Sequence, residues 1–524
     1  MQRLFILCIA CLLVCSCGKK DSNDDKKIFR YNESANISSL DPAFAKDQAM
    51  IWADLQLYNG LVELDKDLNI KPSIAKSWTI SDNATLYRFF LRSDVRFHKS
   101  PLFNTPDSTR YLTAKDFVYS FKRIIDEKIA SPGAWIFANV AADGFIAEND
   151  TTFVIKLRKP YAPFLGLLTM PYCSAVPQEV VEHYGEDFRR NPVGTGAFRF
   201  KIWKEGVKLV LVRNEDYFEQ DQQGNRLPYL DAVSISFIID KQSVFLEFIK
   251  GNIDFISGID ATYKDEILTR SGKLQAKYKD KINLSTESYL NTEYLGFLMD
   301  DNDKTNPLLN KQIRQAINFG FDRKKMMRYL RNNIGLAGGY GMIPKGLAGF
   351  DSTNVIYNYN PQKAKALLQE AGYPDGKGLP PITLATTAAY LDLCKYIQQE
   401  LIQLGLNIKI DVNPPGALRE QIAQAKSRWF RGSWIADYPD AENYLSLFYS
   451  RNFSPKGPNY THFSDKRFDI LYEQAQREPD LNRRTDLYKQ MNSIVMEQSP
   501  VVVLYYDQVL RFSQKNIEGL ESNP

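Results

Sequence analysis

The sequence predicts an α/β fold, because segments patterned like strands alternate along the chain with segments patterned like helices. Apolar residues make up 44% of the 524 residues and aromatic residues 13%, which is ample material for a buried core. The formal net charge is only +4, so the chain lacks the basic excess that suits nucleic acid, and we expect no such partner. Since compact cores seldom grow beyond about 250 to 300 residues, the length predicts two to four domains.

The first twenty residues have the pattern of a secretory signal. The apolar run over residues 4–14 follows a basic residue and is too short to span a bilayer, so residues 1–16 are predicted to be a signal peptide that is removed. Apolar and then small residues before Cys17 resemble a bacterial lipoprotein signal, which makes Cys17 the predicted lipid attachment. The alternatives are an ordinary signal peptide without lipid, or Cys15 as the acceptor, which the bulky Val14 disfavours.

Residues 17–27 are charged and nearly free of apolar side chains, so they are predicted to form a flexible tether. No later window approaches 18 consecutive apolar residues, and no transmembrane helix is predicted. We therefore expect a monomeric body outside the cytoplasm, held on a bacterial membrane, at the periplasmic side or the cell surface, by its lipid alone.

Particular helices and strands follow from local patterns. Thr113 is predicted to cap a helix over residues 114–125, with Asp116 in the first turn, where the helix dipole favours negative charge. Pro361 and Gly372 have the chemistry of a helix start and stop. Apolar stripes predict two more helices, through Ile313, Ala316, Ile317 and Gly320, and through Leu487, Met491, Ile494 and Val495. Strands are predicted at 87–91, 153–157, 209–212, 233–239, 408–412 and 501–506.

Beyond the signal region the chain has two cysteines, Cys173 and Cys394. Two cysteines in an exported chain can pair. Cys394, however, shares a helical stripe with Ile397 and Leu401, and a free cysteine packs well as a small apolar group, so we favour two unpaired thiols.

A series of short segments lies in a fixed order from about residue 30 onward. The segments are SLDP at 39–42, LYNGLVELD at 57–65, IKPSIAKSW at 70–78, LYRF at 86–89, VRFH at 95–98, LTAKDFVYS at 112–120, PVGTGAF at 192–198, RNEDYF at 213–218, IRQAIN at 313–318 and YNPQKAK at 359–365. In this order they resemble the extracytoplasmic solute-binding proteins of family 5, which serve oligopeptide and dipeptide ABC importers, and the resemblance runs to the carboxyl end. Each is short, but their common order across the chain is a specific signal.

The resemblance implies a two-lobed periplasmic-binding-protein fold of the large type, with an extra domain in the first lobe and a hinge of two crossing strands. The first lobe would comprise residues 28–285 plus 500–524, with the inserted domain at about 75–192. The second lobe would comprise residues 286–499. The hinge strands are expected near 294–299 and 501–506, and closure about such a hinge is the usual motion of these proteins.

The resemblance also implies the function of a substrate-binding lipoprotein that captures short peptides between closing lobes and delivers them to a membrane permease. In peptide-binding members, an aspartate in a Trp-x-x-Asp pattern pairs with the ammonium group of the ligand, and Asp437 is the match here, three residues after Trp434. A carboxylate buried between lobes selects for an amine, because burial is costly without a cation. The alternative is that Asp437 caps a turn before Pro439.

Three further residues are predicted to contact the peptide. Trp434 would form a wall of the pocket and offer one N–H donor, its alternative being ordinary core packing. Arg431 would meet the carboxylate of the ligand or else form a surface ion pair. Trp135 follows the segment Ser-Pro-Gly-Ala, where the family often places an aromatic residue facing the cleft.

Other functions have weaker support. A carrier of a metal chelate or a sugar in the same fold is an alternative, but His98, His183 and His462 lack the spacing of metal ligands, and no metal or cofactor is predicted. The nucleophile-elbow and zinc-protease motifs do not occur, so we expect no enzyme. A purely adhesive surface lipoprotein would need neither hinge nor cleft.

Overall fold

The computed structural model describes residues 26–81, 83–258, 263–300 and 303–520. The predicted signal peptide, Cys17 and most of the tether lie outside these residues. Within them, we find no helix whose length and apolar character would let it cross a membrane.

Strands and helices alternate as the patterns predict. The strands are β1 Ile28–Asn32, β2 Val62–Leu64, β3 Ile70–Pro72, β4 Ala75–Ile80, β5 Leu86–Leu91, β6 Val140–Asn149, β7 Thr152–Leu157, β8 Phe198–Lys204, β9 Lys208–Arg213, β10 Ala232–Ser236, β11 Phe255–Ser257, β12 Ile282–Phe297, β13 Leu336–Ala337, β14 Ile382–Thr386, β15 Ile408–Val412, β16 Trp429–Ile435 and β17 Val501–Gln514. The helices are α1 Gln48–Leu57, α2 Ala114–Ile124, α3 Phe164–Leu167, α4 Gln178–Tyr184, α5 Lys241–Ile249, α6 Lys264–Ile267, α7 Lys311–Phe319, α8 Arg323–Leu330, α9 Pro361–Glu370, α10 Leu391–Ile402, α11 Pro415–Ala423, α12 Glu442–Leu445, α13 Lys466–Ala475 and α14 Leu481–Gln498.

Local chemistry explains several boundaries. α2 begins after Thr113, whose backbone N–H donates to Asp116 at 2.8 Å, as the capping pattern predicts. α9 starts with Pro361 behind the cap Asn360, and Gly372 just beyond it has a φ of +89°, which favours glycine. The strand predicted at 233–239 is shorter in the structure, where β10 ends at Ser236.

One mixed sheet runs through most of the molecule. Its strand order is β15-β14-β16-β12-β17-β11-β1-β10-β9-β8, with β13 added on β17. Neighbours β1 and β10 are parallel, as are β14 and β15, whereas β12 and β17 are antiparallel. A separate antiparallel sheet, β4-β5-β7-β6, packs against α2, where Phe117 and Phe121 lie 5.7 and 5.6 Å from Phe153 between ring centroids.

The buried apolar residues form three cores. The amino-half core joins residues between Tyr31 and Phe255, together with Tyr438. The carboxyl-half core joins residues between Leu290 and Tyr506. A small core lies around α5 and adds Ile282, Leu510 and Phe512. Cys173 and Cys394 are buried in different large cores and are unpaired, as favoured from the sequence.

β12 and β17 connect these cores. The small core holds the start of β12 and the end of β17, whereas the carboxyl-half core holds Leu290–Phe297 and Val501–Tyr506. The register of the pair breaks between Ser288 and Thr292. The segments expected at the hinge, near 294–299 and 501–506, lie inside the carboxyl-half core and not between cores. The reason is that a core buries continuous apolar runs. The passage, by which we mean the stretch where β12 and β17 run from one core into the other, carries polar residues. The boundaries predicted for the lobes and for the inserted domain stay a prediction.

A carboxyl group in α1 lacks the usual compensation for burial. Asp54 has no exposed surface, and neither of its oxygens has a hydrogen-bond partner among the described residues. Burial raises the pKa of Asp54 well above its ordinary value, and the nearby carboxylates of Asp41 and Asp47 raise it further. By contrast, Asp41 is paired with Arg123, whose Nη1 lies 2.9 Å from Oδ1.

We expect Asp54→Asn to alter how stability depends on pH. Between the pKa of the unfolded chain, near about 3.9, and the raised pKa of Asp54, the native state binds more protons than the unfolded state, so the free energy of unfolding falls as pH rises. Relative to the variant, the wild type should lose up to about 1.4 kcal/mol per pH unit in that window. Urea unfolding followed by circular dichroism from pH 3.5 to about 8 measures this. The control Asp67→Asn, at an exposed position, should run parallel to the wild type, and an equally parallel Asp54→Asn profile would contradict the expectation.

Candidate functional site

The candidate site is built on β16 and the turn that follows it. β16 pairs antiparallel with β12, and the register places Trp434 opposite Thr292. Just beyond the strand, the Ala436 N–H still donates to the Leu290 carbonyl at 2.9 Å. Asp437 is therefore the first residue that the sheet no longer holds, and it projects from the end of the strand.

Asn443, at the start of α12, orients this turn. Its Nδ2 donates to Oδ2 of Asp437 at 3.1 Å. Its Oδ1 accepts the indole N–H of Trp434 at 2.7 Å and the backbone N–H of Asp437 at 3.3 Å. One buried amide thus determines the positions of both sequence-predicted residues.

The side chain of Asp437 is exposed, whereas the sequence argument expects a carboxylate buried between the lobes. Asp437 lies beyond the last hydrogen bond of the sheet, and Asn443 gives its carboxylate a single neutral donor. Water must therefore hydrate the rest of the carboxylate. In the described parts of the chain, no Lys or Arg side chain forms an ion pair with Asp437. The alternative is that Asp437 caps a turn before Pro439. Among the described residues the Asp437 carboxylate accepts from the Asn443 amide and from no backbone N–H, whereas Asp440 accepts the Glu442 N–H at 2.9 Å.

Trp434 is partly buried against the carboxyl-half core. Its indole N–H donates to Asn443, so that donor is already used and is not free for a ligand, contrary to the expectation. What the side chain contributes is packing and the orientation of Asn443.

Trp135 approaches the same turn from the amino half of the chain. It lies in the short helical turn Ala134–Phe137 and is 46% exposed. Its ring centroid is 6.4 Å from that of Tyr438, the residue after Asp437. The structure therefore brings Trp135, Trp434 and the Asp437 turn together, although they are far apart in sequence.

Glu442 holds this turn against the amino half. The hydroxyl of Tyr161 donates to Oε2 of Glu442 at 3.0 Å, and those of Tyr438 and Tyr472 also donate to this carboxylate. Burial raises the pKa of Glu442, and its hydrogen bonds from the tyrosines oppose that shift. Nearby, the Ala162 N–H donates to the Gln476 carbonyl at 2.7 Å, a second link between the halves.

Arg431 lies further back on β16, in an internal ion pair. Its guanidinium pairs with Glu293 on β12, and the two side chains are only 12% and 3% exposed. It also lies over the ring of Tyr390, 3.2 Å from the centroid. Of the two alternatives for Arg431, an ion pair does form, but it is internal and not at the surface. Burial is the main cause that raises the pKa of Glu293.

A polar network extends from this pair across the passage between the cores. Asn291 donates from Nδ2 to Glu293 at 3.1 Å and to Asp507 at 3.5 Å. Asp507 in turn pairs with Arg331 at 2.7 Å. Two arginines thus balance two carboxylates where β12 and β17 change cores.

Two cavities lie beside this passage. One of about 460 Å³ is lined by Tyr289, Arg331 and Gln508, among others. A second of about 510 Å³ lies along α1, β11 and α5. Residues Gln48, Ser257 and Gly258 line both, so the two cavities are neighbours.

The histidines lie in three separate places. Burial lowers the pKa of His98 to about 4, and its Nε2 is 2.9 Å from the Gly196 carbonyl. His462 stacks on Phe453, and His183 contacts Tyr184. Across the described ranges, no group of three or more His, Cys, Asp or Glu side chains is arranged to hold a metal ion.

Sequence reasoning missed Asn443, Glu442, Glu293, Asp507 and Arg331. A usable signal existed for two of them, because Glu293 and Asp507 are charges inside otherwise apolar strand runs. Asn443 carries no comparable pattern, because its role depends on the turn that brings it back to Trp434.

Two cores joined by a strand pair, with cavities beside the passage, are the architecture of a hinged binding protein. A family model for bacterial extracellular solute-binding proteins, family 5 Middle, matches residues 69–455. The match covers more than half of the chain, so the protein belongs to the bacterial extracellular solute-binding proteins of family 5. It has the two-lobed fold of the periplasmic binding proteins and is not an enzyme.

Individual relatives agree with this assignment. The glutathione-binding protein GsiB of Salmonella typhi is 26% identical over 496 residues, covering 93% of this chain and 90% of the relative. The unliganded open form of MppA, a periplasmic murein tripeptide binding protein, has 24% identity and a TM-score of 0.80, covering 94% of this chain and 93% of that one. The periplasmic binding protein DppA from Helicobacter pylori, in complex with the peptide STSA, has 25% identity and a TM-score of 0.69, covering 95% of both chains.

We expect Arg431→Met to lower the free energy of unfolding by about 3 kcal/mol, because it leaves the buried Glu293 without its cation. The loss should shrink in acid, where Glu293 becomes protonated and needs no partner. Urea unfolding at pH 4 and 7.5 measures both effects. The control Arg483→Met removes an exposed pair with Glu478 and should change little. Equal small losses in both variants would show that the buried pair does not stabilise the fold.

Proposed function

We propose that the protein captures short peptides with a free amino terminus in the cleft between its lobes, with Asp437 pairing to the ligand ammonium group. The observation that carries this proposal is a contrast between two neighbouring carboxylates. Glu442 receives three tyrosine hydroxyls and is fully enclosed, whereas Asp437 receives one amide donor and is exposed. Asp437 thus retains acceptor capacity for an incoming cation.

The surroundings of Asp437 suit an amine carried on a peptide. Asn443 holds the carboxylate in one orientation, so little side-chain freedom is lost on binding. Trp135, which is 46% exposed and packs near Tyr438, supplies aromatic surface at this turn. When the lobes close over a ligand and exclude water, the attraction between ammonium and carboxylate strengthens.

The remaining contacts are proposed to be to the main chain of the peptide, since an extended ligand can be held like an added strand whatever its side chains. The relatives support a ligand of this class: GsiB is named for glutathione, MppA for a murein tripeptide, and DppA was crystallised with the peptide STSA. The charge of Arg431 is already balanced by Glu293, so a ligand carboxylate would have to compete for it.

Asp437→Asn should weaken binding of trialanine by about tenfold or more, the usual effect of losing a charge-assisted hydrogen bond. Isothermal titration calorimetry with trialanine and with glutathione measures the loss. Trialanine with an acetylated amino terminus has no ammonium group, so it should bind the wild type weakly. Asp437→Asn should not weaken its binding further.

The matched control is Asp486→Asn on the exposed side of α14, which should bind trialanine as the wild type does. Unchanged affinity of Asp437→Asn for free and acetylated peptides alike would remove Asp437 from this role.

We further propose that the chain is a lipoprotein, attached through Cys17 on the extracytoplasmic side of a bacterial membrane, and that the closed form docks on an ABC permease. The signal-like pattern of residues 1–17 supports attachment, and membership of family 5 supports the transport partner. Attachment would keep the binding protein close to the permease and raise its effective concentration there.

Replacement of Cys17 by alanine should abolish lipid incorporation. Cells expressing the full chain and fed radiolabelled palmitate should label the wild type, and detergent phase separation should place it with membrane proteins. Cys15→Ala is the control and should remain labelled. Label that persists in Cys17→Ala but disappears in Cys15→Ala would move the attachment to Cys15.

A further inference from the structure

The cavity along α1, β11 and α5 has a composition that the Asp437 site does not explain. It has a volume of about 510 Å³, and one of its lining residues, Glu33, directly follows β1. Aromatic side chains from three other elements line it: Trp52, Phe245, Phe255 and Tyr263. A carboxylate among aromatic rings favours a ligand that carries a positive charge.

Glu33 is half-buried, and no described lysine or arginine forms an ion pair with it. In the described part of the chain, no ion pair and no side-chain hydrogen bond involves its carboxylate. Burial raises the pKa of Glu33 and Asp47 adds to the rise, while backbone N–H groups at Ala35 and Ser34 lower it. No lysine or arginine is among the groups that act on it. The carboxylate is therefore partly desolvated without compensation, a state that a ligand cation would relieve.

The aromatic walls suit the stem of a long cationic side chain. Phe245 and Tyr263 stack with ring centroids 4.9 Å apart and planes 12° apart, and Trp52 and Phe255 lie 6.2 Å apart. Faces of aromatic rings attract cations, and the methylene chain of a lysine packs along apolar surface while its charge stays at a polar end.

Several cations lie nearby, and in the described part of the chain no ion pair joins any of them to Glu33. Lys264 and Arg331 line the neighbouring cavity. Lys241, the first residue of α5, is exposed and also lines the cavity, but no hydrogen bond or ion pair joins it to Glu33. Arg511 lies 5.9 Å from the ring centroid of Trp52, lines a different cavity and pairs with Glu287 at 3.0 Å.

The cavity adjoins elements that carry the proposed peptide site. Gln48, Ser257 and Gly258 also line the neighbouring cavity, which reaches Tyr289 on β12. The next residue, Leu290, is buried, and its carbonyl accepts the Ala436 N–H beside Asp437. The cavity and the Asp437 turn are thus linked through neighbouring residues of β12.

We propose that this cavity is a specificity pocket for a basic side chain, lysine or arginine, of a peptide whose amino terminus lies at Asp437. The inference rests on the proposed function, and it adds a second carboxylate that selects ligands by side chain. Peptides with a neutral side chain of the same length would fill the cavity but leave Glu33 uncompensated.

The test compares lysine with norleucine, which keeps the methylene chain and lacks the charge. Calorimetry with Ala-Lys-Ala and Ala-Ala-Lys against their norleucine counterparts should show a preference for lysine of about tenfold at one of the two positions. Glu33→Gln should reduce that preference to within about twofold, with the norleucine peptide binding at least as tightly as it binds the wild type because the uncompensated charge is gone. Binding of the norleucine peptide also shows that the variant is folded.

Two controls separate this inference from the Asp437 proposal. Glu186→Gln, at an exposed position of the amino half, should retain the preference for lysine. Asp437→Asn should weaken the lysine and norleucine peptides by the same factor. Lys241→Met should leave the preference intact or increase it.

Equal affinity for lysine and norleucine peptides at both positions would overturn the pocket while leaving the peptide proposal standing. A preference for glutamate at the sensitive position would overturn it in favour of Lys241 as the determinant. Failure of every peptide to bind would overturn both proposals together.

Discussion

The pairing of β12 with β17 is the constraint on which the rest of the molecule depends. These strands lie side by side in the middle of the largest sheet, and each has one end in the carboxyl-half core and the other in the small core. Antiparallel pairing fixes two long segments against each other, and their register shifts between Ser288 and Thr292 and again between Glu293 and Tyr294. β16, which carries the candidate site, is positioned by β12 alone on that side.

The polar network at the passage is a second constraint on how β12 and β17 lie against each other. A buried ion pair contributes to stability only when its geometry repays the loss of hydration, and Glu293 and Arg431 meet that condition with help from Asn291. The network also places four charged side chains where β12 and β17 pass between cores. Any rearrangement of β12 against β17 must therefore keep these partners together or expose them to water.

A second set of contacts joins the halves away from the hinge. Tyr161 and Ala162 of the amino half bond to Glu442 and Gln476, and Tyr438 packs in the amino-half core although it follows β16. These contacts hold the Asp437 turn close to Trp135.

The sequence by itself determined the α/β class, the helix ends at Thr113 and Pro361, the unpaired cysteines and the family, since each depends on local chemistry or on the order of short motifs. It also identified Asp437, Trp434, Arg431 and Trp135 as candidates. Only the tertiary structure decided their environments: Arg431 is neutralised by Glu293, the Trp434 donor is taken by Asn443, and Asp437 is exposed. The physical reason is that burial and partnership are set by residues distant in sequence, and the chain brings these together only when β12, β16 and β17 have paired.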